Sequence, residues 1–122
     1  MAYVLWLAQI LLALTFLAAG VLHGFRYEQA QRLLPWVSAV PRDQLRVIGL
    51  LELLGGVGVI LPAVTGVFPW LTPLAAVGLA LIMLSAIVFH LSRRERSNAL
   101  GLSLVLAVAV FVAVGRYVIV PL

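Results

Sequence analysis

The sequence predicts an all-α integral membrane protein, a four-helix bundle, and three observations carry the prediction. Of the 122 residues, 65% are hydrophobic and only 10% charged, with a mean hydropathy of +1.21. That leaves too little polar surface to coat a water-soluble globule. The apolar residues also gather into four segments, at about residues 2–25, 45–61, 70–91 and 99–120. Each approaches or exceeds the ~20 residues that a helix needs to cross ~30 Å of hydrocarbon. Finally, the segments leave almost no extramembrane mass, so residues 1–122 read as a single transmembrane domain whose first partner is the lipid bilayer.

The first segment contains Gly20-Val-Leu-His-Gly24, a small-xxx-small spacing that lets two helices approach closely, with His23 inside it near the helix end. Ala18-Ala19-Gly20 resembles a signal-peptide cleavage site, but the preceding region has no Lys or Arg and the apolar run is too long. Residues 26–41 mix Tyr27 and Trp36 with Arg32, Pro35 and Pro41, which suits an interfacial stretch with aromatic anchors. Pro41 followed by Arg42-Asp43 reads as a helix start, because proline is tolerated there and aspartate favours the positive end of the helix dipole.

In the second span, helical spacing places Gly49, Glu52, Gly56 and Val59 on one face, with Gly55 beside them. A glycine stripe in a membrane helix is a close-packing surface, so Glu52 should face neighbouring helices and not lipid. Pro62 is expected to close this span, Thr65-Gly66 to turn the chain, and Pro69-Trp70 to open the third span at the opposite interface. On the third helix Ala76, Ala80, Met83, Ala86 and His90 fall on or near one stripe. Residues 92–98 read as a short polar turn, and Ala109 and Ala113 are spaced for packing on the fourth helix. Gly20 and Gly24 could serve contacts within the bundle or between protomers, so an oligomer stays open.

The net charge of +4 comes from eight Arg and no Lys. Arg26, Arg32, Arg42 and Arg46 flank the first connection and Arg93, Arg94 and Arg96 the third, while Arg116 alone lies towards the other side. This clustering is a topology signal and not a nucleic-acid footprint. It places the Arg-rich connections in the cytoplasm and the termini outside, in the inner (plasma) membrane. Arg116 is expected to snorkel to the outer interface. With no cysteine, the chain has no dithiol chemistry, disulfide, c-type haem attachment or zinc–cysteine site of its own. No metal site is expected, and no soluble catalytic signature is present.

Glu52 stands alone in the most apolar stretch, residues 47–61. A charged acid near a bilayer centre costs roughly 2.5–3.5 kcal/mol on insertion scales, so such residues face the bundle interior, find partners and often carry function. Because helix direction alternates, His23, the start of the second span and His90 share one level. Arg46 and its neighbours form the rim, the histidines the threshold, and Glu52 lies deeper, roughly 13–15 Å along its helix from Asp43. The arrangement suits a proton carrier or a hydrogen-bond donor to a polar ligand head. A helix-bonding acid, protonated or paired with histidine, fits the same residues. Two inward histidines also match the ligand set of a b-type haem, though the balance is against haem. Gln9 and Thr15 read as local or interhelical hydrogen-bonders, and Trp6, Trp36 and Trp70 first as interfacial anchors.

Taken together, Ala18-Ala-Gly-Val-Leu-His-Gly-Phe25, Arg46-Val-Ile-Gly-Leu-Leu-Glu-Leu-Leu-Gly-Gly56, Leu71-Thr-Pro-Leu-Ala-Ala-Val-Gly78 and Phe89-His-Leu91 resemble the DoxX-like family of small four-helix bacterial membrane proteins. Gly49-Leu-Leu-Glu-Leu53 is the most specific piece, and the resemblance covers nearly the whole chain. It implies a connection to quinone-linked oxidation through the membrane subunit that gives the family its name. Distant animal relatives act as receptor-assembly chaperones. If the quinone connection carries over, Glu52 would bond or protonate a quinone-like head with His23 and His90 assisting. The relatives that use redox cysteines have no counterpart here.

Three functions follow as expectations. The first is a small subunit or binding module for a lipophilic, quinone-like ligand, working with a partner oxidoreductase; no reaction is assigned to this chain alone. The second is a structural or assembly protein in which Glu52 and Gly20, Gly24, Gly49, Gly55 and Gly56 serve packing only. The third, a small proton-coupled exporter, is disfavoured because those transporters carry their acid in the first helix.

Overall fold

The computed structural model describes all 122 residues. Helix α1 spans Ala2–Phe25 and is followed by a short α2, Tyr27–Leu33, and a 3₁₀ turn, Pro35–Ala39. Next come α3, Arg42–Gly58, and its short continuation α4, Leu61–Thr65. Helix α5 covers Leu71–Ser92, and α6, Arg96–Val114, runs into a wider π-type turn at Gly115–Ile119. Four helical stretches, Ala2–Phe25, Arg42–Thr65, Leu71–Ser92 and Arg96–Ile119, are long and apolar enough to cross a membrane. Only 26 of 122 residues are buried, and the exposed ones on the long helices are largely Leu, Val and Ile. Such a surface is stable in hydrocarbon and not in water.

Helix α1 packs most extensively against α3, and α5 against α6; α3–α5 and α1–α6 contacts close the ring. The α1–α3 contact follows directly from sequence. A Cβ at Gly20 would lie 2.6 Å from Leu53 Cγ and 2.8 Å from the Gly49 carbonyl, and one at Gly49 would collide with the Gly24 backbone. The two backbones therefore meet at a distance that only glycine permits. The central core, Leu12, Ala13, Phe16, Val59, Ala76, Leu79, Met83, Ala109 and Val112, draws on every long helix.

Three local expectations are corrected. Pro62 does not close the second span. It sits in the first turn of α4, where a missing N–H is tolerated, and the helical path runs on to Thr65 before Gly66, at φ +73°, ends it. The polar turn after α5 is shorter than residues 92–98, because Arg96, Ser97 and Asn98 already form the first turn of α6. Residues 26–41 do more than lie at an interface. Ala30 and Val37 bury completely against Leu45, which folds α2 and the 3₁₀ turn over the end of the bundle as a cap.

The break between α3 and α4 explains two polar side chains. Pro62 has no N–H to offer the Gly58 carbonyl, four residues before it. The Thr72 hydroxyl donates to the Gly58 carbonyl instead, at 3.3 Å, and the Gln9 amide donates to the Val59 carbonyl at 2.8 Å. Neighbouring helices thus satisfy the carbonyls that a proline interruption frees inside a membrane.

Candidate functional site

Beneath the cap, at the Arg-rich end, the four long helices line a partly open cavity of about 630 Å³. Its walls are mostly apolar: Phe16 and Leu22 from α1, Leu45 and Ile48 from α3, Met83 and Phe89 from α5, and Leu102 and Val105 from α6. Into this lining project His23, Trp36, Glu52 and His90. Each arrives by a structural device already described. The glycine crossing brings the end of α1 against α3, the cap delivers Trp36, and antiparallel packing returns the end of α5 to the same level.

Glu52 is 3% exposed, and its Oε1 lies 2.6 Å from His23 Nδ1. One proton lies between the two atoms and joins α1 to α3. The pair is not saturated by this bond. His23 Nε2 and Glu52 Oε2 make no hydrogen bond within the protein, and neither is sealed off, since Arg116 Nη2 is the only buried side-chain atom without a partner. One nitrogen and one oxygen thus remain open beside the cavity: Glu52 Oε2 accepts, while His23 Nε2 donates when the shared proton sits on Glu52 and accepts when it sits on a neutral imidazole's Nδ1.

His90 is also 3% exposed and is held differently. Its Nδ1 is 2.9 Å from Glu95 Oε1, which accepts a further bond from Arg93 Nε at 3.0 Å. The Asn98 amide lies 3.5 Å from the same histidine nitrogen. Glu95 lies in the turn outside the spans, and its carboxyl is held below the usual glutamate value, foremost by the hydrogen bond from His90 and further by Arg93. The Trp36 indole packs edge-on against both histidines, with ring centroids 5.4 Å from His23 and 5.3 Å from His90.

The sequence-level candidates therefore divide. Glu52, His23 and His90 come together around one cavity. Arg46 does not join them; it is exposed on α3 and absent from the cavity wall. Gly20, Gly24 and Gly49 form the α1–α3 contact, while Gly55 packs on Leu79 of α5 and Gly56 on Leu17 and Ala13 of α1. Thr15 lines the cavity and bonds locally to the Leu11 carbonyl. The cap turns Trp36 inward onto the histidines. Sequence reasoning missed Glu95 and Asn98; the only signal was their spacing of five and eight residues from His90 across a helix turn. No group of three or more His, Cys, Asp or Glu side chains could hold a metal ion.

At the opposite end Arg116 departs from expectation. It is 4% exposed and does not snorkel outwards. Its Nε donates to Gln9 Oε1 at 2.6 Å, its Nη1 to the Val120 carbonyl at 3.2 Å, and its guanidinium lies 5.1 Å from the Trp6 ring centroid. The wide turn at Gly115–Ile119 directs it inward, and Gln9, already bonded to Val59, supplies the acceptor.

Among known proteins, the model of the DoxX-like family matches residues 7–113. No curated protein and no solved structure gives a match.

Proposed function

The chain belongs to the DoxX-like family, and from that premise and the geometry of the cavity we propose a membrane binding module for a lipophilic, quinone-like molecule, working with a partner oxidoreductase. The observation that carries this reading is the His23–Glu52 pair, which keeps one open polar atom per side chain on the wall of an otherwise apolar cavity. A cavity of about 630 Å³ falls in the ~300–1,000 Å³ range of small-molecule sites, and such sites combine apolar walls with a few convergent polar groups.

A quinone head presents a flat ring and carbonyl oxygens. Trp36 and Phe89 offer aromatic surfaces to the ring, and His23 Nε2–H can donate to one oxygen. When that oxygen gains electron density it draws the proton from Nε2. The proton shared with Glu52 would then move from Oε1 onto Nδ1, so the pair supplies one proton over two bonds and Glu52 is left as a carboxylate that accepts from His23 Nδ1–H. The electrons come from the partner oxidoreductase. We place the Arg-rich end, and with it the mouth beneath the cap, on the cytoplasmic side of the inner membrane, where seven of the eight arginines cluster.

The structural reading is favoured by one specific observation: the same pair ties α1 to α3 beside the glycine crossing. One titration separates the two. In a Trp6→Phe/Trp70→Phe background Trp36 is the only tryptophan, and a short-tailed benzoquinone is added while its fluorescence is followed. Binding predicts saturable quenching that Glu52→Gln weakens about tenfold, the weight of one charge-assisted hydrogen bond. It also predicts that Gly101→Leu abolishes quenching, because a Cβ at this cavity-lining glycine meets no atom within 4 Å and the larger side chain fills open space. Non-saturating quenching identical in all three proteins would favour the structural role.

A further inference from the structure

The other large cavity lies at the opposite end, a groove of about 740 Å³ between α5 and the end of α6. Its walls include Trp70, Leu74 and Val77 from one side and Val114, Arg116 and Tyr117 from the other. Arg116 is the only charged side chain that lines it. Every group bonded to that guanidinium is neutral: the Gln9 amide oxygen, the Val120 carbonyl and the Trp6 ring face. None of the four acids of the chain forms an ion pair with it. Nη2 is buried and has no hydrogen-bond partner.

A guanidinium inside a membrane-spanning segment with no counter-charge and an unused donor is incomplete, because buried charges are stabilised by an opposite charge or by full hydrogen bonding. An anion accepting from the guanidinium fork would complete it, and guanidinium suits phosphate oxygens through paired N–H donors. The groove adds apolar walls beside that charge, with Trp70 and Tyr117 as amphipathic aromatics of the kind found at headgroup level. We propose that Arg116 and this groove bind an anionic phospholipid, the phosphodiester on the guanidinium and an acyl chain along Leu74 and Val77. The site is independent of the Glu52 cavity, which lies at the other end of the bundle.

The test is native mass spectrometry of the full chain, delipidated in detergent and titrated with phosphatidylglycerol or phosphatidylcholine. The wild type is expected to prefer phosphatidylglycerol by at least about tenfold, the weight of a hydrogen bond between charged groups. Arg116→Gln should remove that preference. Val77→Trp, an exposed groove position away from the Gln9 bond, should weaken phosphatidylglycerol binding with the guanidinium intact. An Arg93→Gln/Arg94→Gln/Arg96→Gln variant should retain the preference. Equal binding of the two lipids by the wild type would overturn the proposal. So would a preference that disappears with the cytoplasmic arginines, or one that survives both Arg116→Gln and Val77→Trp. If Arg116→Gln does not fold, an unchanged preference in Val77→Trp overturns it alone.

Discussion

Glu52 shows how one side chain can be both structural and chemically open. One oxygen bonds His23 and fixes the helix pair, and the other has no partner within the protein, on a side chain that lines the cavity. The two roles respond differently to substitution. Glu52→Gln keeps a side chain able to bond His23 and should cost no more than about 2 kcal/mol of thermal or denaturant stability, the upper range for interhelical polar bonds in membranes. Glu52→Leu leaves His23 Nδ1 without a partner and should cost more, by about 1–3 kcal/mol, for an unsatisfied buried polar group. A melting series of the two variants checks the order. Glu95 allows a prediction in pH. Its carboxyl is held below the ordinary glutamate value of 4.5 by His90 and Arg93, so the folded state favours the ionised form. The resulting stabilisation is present above that ordinary value and is lost as pH falls through the depressed one. Acid titration of melting temperature should therefore show a decline below about pH 4.5 that is shallower in Glu95→Gln.

Among elements, the α1–α3 contact gives an asymmetric expectation. Gly49→Ala drives a methyl into the Gly24 backbone, whereas a Cβ at Gly24 would lie 3.6 Å from Gly49, an ordinary contact. Gly49→Ala should cost about 1–3 kcal/mol as overpacking, and Gly24→Ala much less; unfolding in mixed micelles measures both. The glycine stripe was legible from sequence because period and residue size suffice to define a packing face. The position of Glu52 on that stripe followed; its bond to His23 did not, because helical level alone set the histidines at the threshold and Glu52 deeper. The cap was not legible in the same way. Whether Trp36 faces lipid or the bundle depends on Ala30 and Val37 burying against Leu45, a tertiary contact with no period. The Arg116–Gln9 bond was hidden for a related reason. Its partners are 107 residues apart, and the turn that redirects Arg116 is a local change of helical pitch after Gly115. Gln9→Leu should disturb both the Val59 carbonyl and Arg116, and so lower stability more than an isolated polar loss on a lipid-facing position.

At the scale of the molecule, the four long apolar helices place a buried polar cluster at the Arg-rich end and a lone buried arginine at the other. Orientation can be read without background labelling because the chain has no cysteine. Single substitutions Ser97→Cys, at the start of α6, and Thr65→Cys, at the end of α4, lie at opposite ends. An impermeant thiol reagent added to intact cells should label Thr65→Cys and spare Ser97→Cys; the reverse pattern would invert the proposed topology. The central claim is that the Glu52 cavity holds a lipophilic ligand, and its most direct test is organic extraction and native mass spectrometry of the protein purified from its membrane, wild type beside Glu52→Gln. A quinone-like molecule should co-purify with the wild type and be depleted in the variant. A wild type that carries no such molecule, beside a variant equally stable and equally empty, would contradict that claim.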